Sequence, residues 1–87
     1  MGSKNEPGKF DCYANAEPDE PMFILLARDP DAADVVREWA ERRMERIENG
    51  TKPPSDRAMV EEAFECAEKM DDWRAKKTGR AADAGEG

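Results

Sequence analysis

Residues 29–57, DPDAADVVREWAERRMERIENGTKPPSDR, decide the fold. Asp29-Pro30 opens a helix, because Asp accepts hydrogen bonds from free amides of the first turn and Pro has a φ already suited to it. The helix is expected to run from Pro30 to about Glu48. Asp31 and Asp34 fall near its positive end, and Arg42, Arg43 and Arg46 near its negative end, the arrangement the helix dipole favours. Asn49-Gly50 and then Pro53-Pro54 stop it. Ser55 is a good cap for a second helix from Asp56 to roughly Lys77, closed by Lys76, Lys77 and Gly79. So short a link makes an antiparallel hairpin the default.

Periodicity supports the pair. At 100° per residue, Met59, Ala63, Cys66, Ala67, Met70 and Trp73 gather on one side of the second helix, with Val60 beside them. Phe64 lies off that stripe, where it widens the buried face or packs on a third element or another subunit. On the first helix Ala32, Val35, Val36, Trp39, Ala40 and Ile47 share a face, and Arg43 projects into its middle.

Upstream, Met22–Ala27 is an unbroken apolar run that suits a buried strand or a short buried helix. Leu25, Leu26 and Ala27 favour helix and no partner strand is evident, so a short helix is expected. Lys9–Ala16 (KFDCYANA) reads as an irregular lid across the hairpin. The polar, Gly-rich ends read as disordered tails, 1–9 and 78–87, around a single helical domain, 10–77. The expected fold class is therefore all-α: an antiparallel helix hairpin with a short N-terminal apolar helix and an irregular lid. Such a small domain buries little surface, and homo-oligomerisation is a usual remedy.

Composition narrows the function. Two cysteines, Cys12 and Cys66, without CxxC spacing or a signal-peptide hydrophobic region, point to a cytoplasmic chain with reduced thiols; a Cys12–Cys66 bridge stays open. There is no histidine, so a metal site would need an unusual ligand set, and none is expected. No cofactor motif is present either. A net charge of −7 repels phosphate at long range, which argues against direct nucleic-acid binding. No apolar run is long enough to span a bilayer. Without a nucleophile elbow, phosphate-cradling glycine loop or metal motif, catalytic residues are expected to be absent and the chain is read as a non-enzyme.

Two surfaces remain. Trp39, Arg42, Arg43 and Arg46 form an aromatic and basic group in an acidic chain. Forked guanidiniums beside an indole suit a phosphate or nucleotide, with Arg28 as possible help. The competing reading is structural: Arg43 snorkels or pairs with a carboxylate such as Glu62, and Trp39 is core. Glu61, Glu65, Glu68 and Asp72 form a line opposite the apolar stripe. That line either imitates a row of phosphates on a partner's basic groove or is a solvated face.

The stretch EPDEPMFILLARDPDAADVVREWAERR resembles a group of small bacteriophage- and prophage-encoded proteins of uncharacterised function. In these an acidic-Pro-aromatic-aliphatic run leads to Ala/Gly-Arg-Asp-Pro and then Val-x-x-Trp-Ala. Glu20, Pro21, Phe23, Leu25, Ala27, Arg28, Asp29, Pro30, Val36, Trp39 and Ala40 carry the likeness, which AFECAEKMDDW extends to Trp73. Where this chain has Asp31-Ala32-Ala33, relatives often have a Leu-Ala-Pro type sequence, so the first-turn surface differs. The resemblance implies an accessory protein of the bacterial host cytoplasm acting by stoichiometric binding. Three roles follow: sequestering a small anionic ligand such as a nucleotide immune signal, inhibiting a host nuclease or CRISPR complex through the acidic line, or structural assembly of the phage.

Overall fold

The computed structural model describes residues 1–78. In chain order it contains α1 (Cys12–Asn15), α2 (Ala32–Glu48), a 3-10 turn (Pro54–Asp56) and α3 (Arg57–Thr78), and no strand among the described residues. The hairpin of α2 and α3 is antiparallel. Arg37, early in α2, donates to Asp71, late in α3, at 2.6 Å, while Arg43 reaches Asp56 immediately before α3 at 3.0 Å.

The turn chemistry differs in detail from the expected boundaries. Asp29 accepts from the Asp31 N–H at 2.9 Å and gives its own N–H to the Leu26 carbonyl, so it closes two tight turns and α2 begins at Ala32 rather than Pro30. At the far end Gly50 adopts a left-handed φ of +84°, which L side chains resist. That reversal lets the Thr51 and Lys52 N–H groups turn back onto the Arg46 carbonyl at 2.8 and 3.0 Å. Ser55 makes no side-chain cap; it lies inside the 3-10 turn that Pro54 opens.

The seam between the helices is built from small residues. Ala32, Ala33, Ala40, Ile47, Val60, Ala63 and Ala67 are its buried hydrophobic members, with Met1, Val36 and Met44 packed on the Ala40–Ile47–Val60–Ala63 cluster. The apolar faces are therefore narrower than the periodicity suggests. Met59, Cys66 and Met70 are half-buried, while Val35, Trp39, Phe64 and Trp73 are exposed.

The Met22–Ala27 segment is not the expected short helix. It has neither helix nor strand up to a turn that begins at Ala27. An apolar run without amphipathic period has no single face to bury, and Pro21 before it and the Asp29-Pro30 turn after it leave little room for a helix. The only helix of the N-terminal part is α1, inside the segment expected as an irregular lid. There Asp11 caps the turn through the Ala14 N–H at 3.3 Å.

Residues 1–10, mostly expected as a tail, fold back on α3 around one carboxylate. Glu62 accepts from the Lys9 N–H at 3.0 Å, the Phe10 N–H at 3.3 Å and the Met1 ammonium at 3.0 Å. The Met1 ammonium also donates to the Phe10 carbonyl. Gly8 makes this loop possible: its φ is +85°, and a Cβ there would lie 2.3 Å from the Met1 carbonyl oxygen. The C-terminal tail expected over 78–87 lies, from Gly79 onward, outside the described residues.

Candidate functional site

The arginines of α2 separate into two groups. The Arg43 guanidinium bonds to Asp56 with both side chains about one-fifth exposed, and it lies 5.0 Å from the Trp39 ring centroid. Its partner is thus Asp56 in the turn, not Glu62, which is engaged with the N-terminal loop. Here the structural reading of Arg43 describes what the side chain does. Arg42 is held by Glu38, one helical turn back, at 2.8 Å. Arg42 and Arg46 border an open cleft with Asn49, but Glu38, Glu41 and Glu45 border it too. Three carboxylates against two guanidiniums oppose an incoming anion.

Arg28 lines a different cleft, of about 360 Å³, between the Leu25–Arg28 segment, the C-terminal half of α3 and the N-terminal loop. Its cations are Lys4, Arg28 and Lys69, and its carboxylate is Glu6. Leu25, Met70 and Trp73 give it an apolar side. None of its three cations is in an ion pair among the described residues. The Glu62 anchor shapes this cleft, because it holds the loop that brings Gly2, Ser3 and Lys4 to its wall.

Three titrating groups are displaced from their ordinary ranges. Burial pushes the Glu62 carboxyl up, but the hydrogen bonds from Lys9, the Met1 ammonium and Phe10 outweigh it and hold the group below the usual range. The hydrogen bond to Asp71 raises Arg37. Burial, with the nearby Glu62 charge, raises the Cys66 thiol and keeps it protonated; it and Cys12 are free thiols. A raised thiol does not fit an activated nucleophile at Cys66. Among the described residues no three His, Cys, Asp or Glu side chains are grouped to hold a metal, and no helix is long and apolar enough to cross a membrane.

The acidic line on α3 is laid out as spaced. Glu61, Glu65, Glu68 and Asp72 are all exposed, and none is in an ion pair among the described residues. Sequence reasoning ranked Arg28 behind the α2 arginines and did not find Lys4, Lys69 or Trp73 as its neighbours. The signal available was the adjacency of Arg28 to an apolar run. The loop that completes the cleft depends on backbone contacts with no side-chain signature.

Fold and site together define a small helical-hairpin protein with a cation-lined, partly apolar cleft. No family model, curated protein or solved structure matches the chain.

Proposed function

We propose that this protein is a non-enzymatic accessory protein that binds and sequesters a small anionic ligand, of the nucleotide type, in the Arg28 cleft. One observation carries the reading. In a chain of net charge −7, three cations that have no ion-pair partner among the described residues, Lys4, Arg28 and Lys69, meet beside Trp73 and Leu25. Arg28 and the lysines suit phosphate oxygens, while the indole and aliphatic side chains suit a base, and the volume falls within the range of small-molecule sites. Resemblance to phage-encoded proteins makes a signal used in bacterial defence the natural ligand. Titration calorimetry of the full chain against linear and cyclic nucleotides tests it. Heat is expected with at least one, weakened by Arg28→Ala; no heat with any, or unchanged binding in Arg28→Ala combined with Lys69→Ala, would overturn it.

A second reading is a protein inhibitor that lays the acidic line of α3 on a basic groove of a host nuclease. The exposure of Glu61, Glu65, Glu68 and Asp72, with no ion-pair partner among the described residues, favours it, since none of those residues needs displacing. Reversing the charge of Glu61, Glu65 and Glu68 should abolish capture of such a nuclease with the helical signal retained. Equal capture by the reversed chain would exclude this reading.

A further inference from the structure

Helix α1 and the segment after it carry five large apolar side chains that the described chain leaves uncovered: Tyr13, Met22, Phe23, Ile24 and Leu26. Phe23 is 86% exposed and Tyr13 72%. Phe23 forms part of the wall of an open groove of about 410 Å³, bordered also by Cys12, Tyr13, Ala16, Pro21 and Met22. We propose that this face is a self-association surface, with Phe23 of each copy seated in the groove of the other.

Three observations select a second copy as the occupant. Projection and groove lie on one patch, as a two-fold contact requires, because each copy must present both halves at once. Of the nine residues bordering the groove only Glu20 is charged, so two strongly acidic chains can meet there with little repulsion. The area is sufficient as well. At about 150–250 Å² for each aromatic side chain and somewhat less for the aliphatic ones, the four that border the groove, Tyr13, Met22, Phe23 and Ile24, expose roughly 550 Å² per chain. Pairing two copies would then bury about 1,100 Å², above the roughly 1,000 Å² that a biological interface should clear. Such burial also answers a shortage inside the chain, whose buried hydrophobic residues among those described are five alanines, Val60 and Ile47.

The proposal is independent of the ligand reading and is tested without ligand. In analytical ultracentrifugation of the full chain from about 1 to about 100 µM, mass action should give at least twice the 9.8 kDa chain mass at the upper end. Phe23→Glu should return the chain mass with the helical circular-dichroism signal kept, while Phe64→Ser, on α3, should leave the assembled mass unchanged. Chain mass throughout for the unaltered protein, or an assembled mass for Phe23→Glu, would overturn the proposal. Should Phe23→Glu lose its helical signal, thiol alkylation of the unaltered chain decides. Cys12 borders the groove, so its alkylation should slow as protein concentration rises, with Cys66 as the internal reference; a Cys12 rate independent of concentration would overturn the proposal.

Discussion

Arg43 and Asp56 hold each other at 3.0 Å across the junction between the end of α2 and the 3-10 turn, with the Trp39 ring 5.0 Å from the guanidinium carbon. The contact ties the helix carrying Arg43 to the turn that launches its partner, so it fixes how α3 departs. A partly buried charged hydrogen bond of this kind contributes about 1–2 kcal/mol, between the exposed and fully buried extremes. Arg43→Ala and Asp56→Ala should each destabilise the fold by about that amount, and a double-mutant cycle in urea should show about 1 kcal/mol of coupling. Additive effects would mean that the pair does not act as one unit.

Gly50 provides a separate test of the hairpin. Its φ of +84° is strained for any residue with a Cβ, although nothing lies within 4 Å of that position to clash. Gly50→Ala should therefore cost about 1 kcal/mol through backbone conformation alone. Gly50→Asn should cost less, because Asn tolerates the left-handed region. Chemical denaturation of the two variants separates these outcomes, and equal stability of Ala and Gly would contradict the observed turn.

Glu62 gives the N-terminal loop a dependence on pH. Its folded pKa is depressed below its ordinary value of 4.5, so the stability it contributes is present above that value and is lost as pH falls through the lower, folded pKa. Relative to the intrinsic amide rate at each pH, hydrogen exchange at the Lys9 and Phe10 amides should become faster in that acidic range. At neutral pH, Glu62→Gln should already show the faster exchange and should flatten this acid dependence. Unchanged protection in Glu62→Gln would show that the loop is held by other contacts.

The two arginine groups predict opposite responses to a nucleotide-type ligand. Arg28→Ala removes from the cleft a cation with no ion-pair partner among the described residues and should weaken binding about 10- to 100-fold, the effect of losing one or two charge-assisted hydrogen bonds. Arg46→Ala, beside Glu41 and Glu45, should change affinity less than about threefold. Calorimetry with a single ligand distinguishes them, and a larger loss for Arg46→Ala would move the site to α2.

Much of the hairpin was legible because its signals are local. Asn49-Gly50 and Pro53-Pro54 can end a helix in almost any context, and the apolar positions of α2 and α3 recur at helical spacing. Met22–Ala27 was not legible: a run with no period reports burial without geometry, and here five of the large side chains around it are not even buried. Arg43 was recognisable as an arginine on an apolar face, but its partner depended on a turn that swings Asp56 back toward α2. The role of Glu62 left no trace, because its donors are the main-chain N–H groups of Lys9 and Phe10 and the Met1 ammonium, none of which depends on a particular side chain.

The alanine seam inverts the usual pattern of sensitivity to substitution. In most small proteins the bulky interior residues are the ones that cannot be replaced, since shortening them leaves a void. Here, among the described residues, five of the seven buried hydrophobic ones have only a methyl group to lose. A larger side chain at Ala40 or Ala63 would wedge the helices apart and pull Arg37 from Asp71 and Arg43 from Asp56 together. Across sequence space, this hairpin should tolerate change at its tryptophans more readily than at its smallest buried side chains.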